Sequence, residues 1–105
     1  MQIVEKRFRG SQLCRVLSYP ISYAITKMLM DRGSMSFVEI VSEVGRSKST
    51  VCTHLSKLRL ANIVRFEKIG RQTAYWIKYP EEVGQFMTGC ENLVERVSQK
   101  LQVDV

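Results

Sequence analysis

Histidine is nearly absent from this 105-residue chain, which has one, and proline and cysteine are scarce at two and three. One histidine, with no Gly-rich phosphate loop and no carboxylate cluster, leaves nothing to assemble a catalytic site. The cysteines, Cys14, Cys52 and Cys90, form no C-x-x-C pair, and their odd number argues against a disulfide framework. Free thiols are then expected, as in a reducing cytosol. No apolar run approaches the roughly 20 residues of a membrane span, so no membrane partner is expected. The start, MQIVEKRFRG, lacks the apolar core of a signal peptide, which points to a cytoplasmic protein. Hydrophobic content of 45% and charged content of 25% suit one soluble domain over residues 1–105.

Acidic residues are missing where basic ones gather. Residues 1–79 hold 14 Lys/Arg against 5 Asp/Glu, whereas residues 80–105 hold 2 against 5. Between 46 and 78 stand Arg46, Lys48, Lys57, Arg59, Arg65, Lys68, Arg71 and Lys78, with Glu67 as the single acid. Such a block favours a polyanion, most simply nucleic acid, while a solvated basic surface is the plainer alternative.

Punctuation divides the chain into 1–19, 20–79 and 80–105. Residues 1–10 stay open: Ile3, Val4 and Phe8 can line a helix, yet Gly10-Ser11 reads as a break with Ser11 capping a helix that carries Leu13, Val16 and Leu17. Pro20 suits a first helical turn, so 20–32 is the next helix, with Ile21, Ala24, Ile25, Met28 and Leu29 as its stripe. Ser36 and Glu39 form a capping-box pattern before a short helix with Val38, Ile40, Val41 and Val44 apolar, which Gly45 terminates. Ser47 then caps a helix running to about Ala61, and two short helices around a Gly-containing turn make a helix-turn-helix. In that second helix Val51, Leu55 and Leu58 recur at helical spacing. Lys48, Ser49, Cys52, Thr53, Ser56 and Lys57 are left outside, as short polar groups suited to base edges in a major groove. Residues 63–69 and 73–79, rich in β-branched and aromatic types around Gly70, predict a hairpin with a basic tip. Phe66, Tyr75 and Trp76 read as core on it. From Pro80 a last helix carries Val83, Phe86, Met87, Cys90, Leu93, Val94, Val97 and Leu101 at three- and four-residue spacing. A seam that long, on a domain of short helices, predicts pairing with a second copy.

A helix-turn-helix followed by a basic hairpin is the winged-helix layout, and the sequence resembles the ArsR/SmtB-type repressors. The resemblance runs from about Leu17 to Ile77. It is carried by Leu17-Ser-Tyr-Pro20, by Ser47-Lys-Ser-Thr-Val51-Cys-Thr-His54-Leu55-Ser-Lys-Leu58, by Leu60-Ala-Asn-Ile-Val64 and by Gly70-Arg71-Gln72-Thr-Ala-Tyr75-Trp. In the recognition-helix pattern only Cys52 departs, standing where the family usually has serine.

The resemblance implies a mainly α fold with a small β-hairpin: a winged helix-turn-helix with N- and C-terminal dimerisation helices. It implies a homodimeric repressor on a pseudo-palindromic double-stranded operator, with a recognition helix at about 48–60 and a wing at about 63–79. Arg46, Ser47, Lys48, Ser49, Cys52, Thr53, Ser56 and Lys57 are then DNA-facing, as are Arg65, Lys68, Arg71 and Gln72 on the wing. His54, at the border, is either a further contact or a packing residue. Leu13, Leu17, Val83, Phe86, Met87, Cys90, Leu93, Val94, Val97 and Leu101 form the expected dimer interface. Positions that bind metal in relatives are filled here by Ser36 and Val38, and by Lys57 and Ala61, so neither metal nor cofactor is expected. Cys14, Cys52 and Cys90 stay open between packing and redox roles. A winged-helix protein-interaction module is the alternative, disfavoured because the 48–57 face lacks aromatic anchors.

Overall fold

The computed structural model describes residues 4–103, with side chains through Gln99. Five helices and three short strands follow in the order α1 (Glu5–Leu17), α2 (Pro20–Arg32), β1 (Met35–Ser36), α3 (Phe37–Val44), α4 (Lys48–Leu60), β2 (Val64–Ile69), β3 (Gln72–Ile77) and α5 (Pro80–Val103). The core gathers between the middle helices and the sheet: Ile25 and Leu29 from α2, Ile40 from α3, Val51, Leu55 and Leu58 from α4, and Met35, Val64 and Ile77 from the strands. Among the described residues no helix is long and apolar enough to cross a membrane.

The predicted punctuation sets the middle of the fold. Pro20 opens α2, where its missing N–H has no intrahelical partner to lose. The capping box is present: the Glu39 N–H donates to Ser36 Oγ at 3.2 Å and the Ser36 N–H to Glu39 Oε1 at 3.1 Å. That reciprocal bond holds the Glu39 carboxyl below its ordinary pKa. Gly45, at φ +68°, closes α3 in the left-handed conformation. The turn out of α4 is also specified chemically. Asn62 takes φ +62°, its N–H donates to Arg59 O, and the Ile63 N–H reaches back to Leu58 O, each at 3.0 Å. This is a Schellman arrangement, and its two apolar partners, Leu58 and Ile63, are both buried.

The hairpin pairs antiparallel from Val64↔Ile77 to Ile69↔Gln72. β1 adds a third strand to its other side, Met35↔Tyr75 and Ser36↔Ala74, giving the order β1-β3-β2. This two-residue strand is too short to carry an alternating pattern and was not foreseen.

Three expectations are corrected. α1 does not begin at Ser11 but runs unbroken from Glu5 through Gly10, and Ser11 Oγ donates back to Phe8 O at 2.7 Å. A single internal glycine costs about 1 kcal/mol of helix propensity, which does not stop a helix that has neighbours to pack on. The inner face of α2 is Ser22, Ile25, Thr26 and Leu29, and Ala24 is exposed. Both polar residues are satisfied there: Thr26 Oγ1 donates to Ser22 O at 2.8 Å, and Ser22 bonds His54. Phe66 is exposed on the hairpin rather than core, while Tyr75 and Trp76 are half-buried.

Candidate nucleic-acid interface

α4 turns Val51, Leu55 and Leu58 inward, as its spacing requires. Lys48, Ser49, Cys52, Thr53 and Lys57 are exposed and Ser56 is half-buried. At its start Ser47 Oγ accepts from the Thr50 N–H at 3.1 Å and donates to Thr50 Oγ1 at 2.9 Å. Thr53 Oγ1 donates to Ser49 O at 3.0 Å, so its proton is spent on the helix and its lone pairs face outward. The exposed row thus combines amines, a thiol and hydroxyl acceptors, with no carboxylate.

Two structures flank that row. On one side the entry of α2 holds His54: Ser22 Oγ lies 2.8 Å from His54 Nδ1, the Tyr19 ring lies 5.8 Å from the imidazole, and Lys57 Nζ sits 4.5 Å above Tyr19. Burial, with the Lys57 ammonium adding to it, holds the imidazole below its ordinary pKa. With the ring neutral, Ser22 Oγ and His54 Nδ1 share one hydrogen bond whose donor is set by the tautomer of the imidazole. On the other side Arg59 stacks 4.9 Å from the Phe66 ring, and Phe66 faces Tyr75 at 5.9 Å. Burial raises the Tyr75 phenol above its ordinary pKa, and nearby Cys52 adds a smaller push. Arg46 follows Gly45 in the turn before α4, and Arg65, Lys68, Arg71 and Gln72 stand exposed on the hairpin. Tyr19 and Ser22 are parts of this surface that the sequence does not mark, and Arg59 is marked only as one of the basic block. The available signal is a lone histidine, two residues after Cys52, needing a partner.

The family model for bacterial regulatory proteins of the arsR family matches residues 23–65, from within α2 to the start of β2. An HTH-type transcriptional regulator of Methanocaldococcus jannaschii is 30% identical over 74 residues, covering 70% of this chain and 83% of that protein. The chain belongs to the arsR family. It is a transcriptional regulator with a winged-helix DNA-binding domain. Among solved structures, Rv0081 of M. tuberculosis superposes with a TM-score of 0.83 at 22% identity, covering 93% of this chain and 97% of that one. A homodimeric winged helix-turn-helix DNA-binding domain from Mycobacterium bovis gives 0.75 at 16% identity, covering 90% and 93%. At those identities the likeness speaks for the fold.

The residues expected at a dimer interface divide in this arsR-family chain. Leu13, Phe86, Leu93, Val94 and Val97 are exposed, the last three at 63%, 65% and 49%, and Val83 and Cys90 are half-buried. Leu17 and Met87 are corrections: each is already covered within its own chain, Met87 to 2% exposure. The reason is that α5 packs against α2 before it projects, so the first turns of the seam serve the chain's own core. Lys27 adds a bridge from α2 to Glu91 on α5 at 3.2 Å. The side chain of Leu101 lies outside the described residues. Cys14, on α1, and Cys90, on α5, line one cavity together with Tyr23 and Phe86, whereas Cys52 is remote on α4. Among the described residues no three His, Cys, Asp or Glu side chains gather as a metal-binding group.

Proposed function

We propose that the protein is a homodimeric repressor, one winged-helix domain per chain, that reads a pseudo-palindromic duplex through α4. The observation that carries this is the exposed row of α4, which is polar and free of acid, framed by a basic hairpin. Lys48, Ser49, Cys52, Thr53 and Ser56 meet base edges in the major groove, while Arg46, Ser47 and Lys57 hold the flanking backbone. Arg65, Lys68, Arg71 and Gln72 follow the phosphates from the wing. His54 contributes through Nε2 alone, because Ser22 holds its other nitrogen. Two copies of α4 then enter successive major grooves about 34 Å apart. Pairing through α1 and the outer α5 residues is supported by their exposed apolar face and by the homodimeric relative from M. bovis. Repression rests on the resemblance to repressors. A thiol input has one supporting observation, the shared cavity of Cys14 and Cys90.

The test is a gel shift with genomic fragments, using Lys48→Glu and Arg71→Glu, and repeated after mild peroxide treatment to test the thiols. Affinity is expected to fall steeply with salt and to collapse in both variants. Charge reversals that leave binding intact would sink the DNA reading in favour of a protein-interaction module.

A further inference from the structure

The strongest positive charge that the α4 row and the wing leave unused lies on α1, with Lys6, Arg7, Arg9 and Arg15 all exposed. Two of these meet α4. Arg9 and Arg15 line a cleft with Lys57, Leu60 and the amides of Gln12 and Asn62, and no Asp or Glu lines it. Val16 and Ala61 form an apolar floor under this cationic rim, and Leu13, which also lines the cleft, belongs to the pairing face proposed above. The cleft opens beside the groove-facing row, because Lys57 and Leu60 continue the row of Ser49, Thr53 and Ser56 by helical spacing. It lies on the side of α4 away from the hairpin: His54 and Lys57 turn toward Tyr19, whereas Arg59 turns toward Phe66.

We propose that this cleft is a second DNA-backbone site, in which Arg9, Arg15 and Lys57 take phosphate oxygens beyond those reached by the wing. The proposal rests on the DNA reading above and adds a contact to it. With the wing on one flank and α1 on the other, α4 is clamped to the backbone from both sides. The guanidinium forks bond phosphate bidentately, the two amides add neutral donors, and the apolar floor suits deoxyribose. Glu5 counters this site, because its carboxylate holds Arg9 at 2.7 Å.

Phosphate binding carries little sequence information, so the test needs no operator. A random-sequence duplex several turns long is titrated by fluorescence anisotropy across a salt series. The proteins are the wild type, Arg9→Gln/Arg15→Gln, Glu5→Gln and Lys48→Glu, each checked for oligomeric state by sedimentation. Loss of two contacts in each protomer flattens the log–log salt slope by about 3.6 for a bound homodimer, so the double variant loses roughly 150-fold less affinity between about 50 and 200 mM salt. Glu5→Gln tightens binding, which structural damage does not mimic. The proposal is overturned if the double variant keeps the wild-type slope while Lys48→Glu flattens it. It is equally overturned if the double variant changes only the sedimentation, since a second copy then covers the cleft. A wild type that binds no duplex removes the DNA reading beneath it, a separate and recognisable result.

Discussion

Ser22 and His54 join the start of α2 to the middle of α4 through one side-chain bond, and removing it has a calculable effect. Ser22 is fully buried, and its hydroxyl has His54 Nδ1, 2.8 Å away, as its side-chain partner. A hydrogen bond of this kind contributes about 1 kcal/mol net, and its loss costs about 1–3 kcal/mol where a buried partner is left unsatisfied. The imidazole is half-buried and water reaches part of it, which puts Ser22→Ala near the lower end, about 1 kcal/mol. For a chain of this size that lowers Tm by about 4 °C. His54→Ala loses the same bond together with the ring's contact on Tyr19, so it costs more. Urea denaturation of the two single variants and the double is expected to give a coupling energy of about 1 kcal/mol.

An acid titration tests the burial of the same imidazole beside Lys57. The folded imidazole sits below its ordinary value of 6.5, so between that value and its folded pKa the unfolded chain binds a proton that the folded chain refuses. Stability is therefore full above about pH 6.5, falls as pH drops below it, and levels off under the folded pKa. Carboxylates titrate near pH 4 and the chain has one histidine, so the window between about pH 5 and 6.5 belongs to His54. His54→Gln is expected to flatten it. Additive single costs, or a wild type whose stability is level across that window, would refute the reasoning.

Two further outcomes follow from burial and backbone geometry. Met87→Ala is expected to lose about 2–5 kcal/mol in the same denaturation, because the side chain is buried in its own chain; Leu93→Asp/Val97→Asp is expected to spare the core but shift sedimentation to the monomer. Gly70, at φ +64° with open space around a would-be Cβ, pays no steric penalty in the left-handed region, so Gly70→Ala costs about 1 kcal/mol through the backbone alone. A destabilisation several-fold larger, by thermal melt, would mean that the hairpin tip packs on something.

The elements legible in the sequence were those whose ends are written in local chemistry. Pro20 lacks the backbone donor that a helix start leaves unpaired, and the Ser36/Glu39 box, Gly45 and Ser47 each satisfy backbone groups within three or four residues, so the helices from 20 to 60 fall where those residues put them. What stayed hidden depends on distant partners. β1 exists because the edge of β3 offers unpaired groups to Met35 and Ser36. The polar inner face of α2 exists because His54, 32 residues later, supplies a hydrogen-bond partner for Ser22. An apolar stripe predicts only burial driven by loss of water contact, and it misses a serine whose hydrogen bond is completed from another helix.

The same division runs through the site. The exposed row of α4 follows from the inward spacing of Val51, Leu55 and Leu58 and needs no tertiary knowledge. The supports on its flanks do need it: Tyr19 lies against Lys57 and His54, and Phe66 against Arg59. Each support is an aromatic ring under a cation, brought from another element, and each orders a long side chain that would otherwise lose entropy on meeting DNA. Cys52 is exposed on α4, one turn from Ser49 and from Ser56, within the same polar row. Serine at this position would keep a short polar edge and lose the softer thiol. The departure from the family pattern at Cys52 thus changes the chemistry of one position in the row and leaves its two flanking supports untouched.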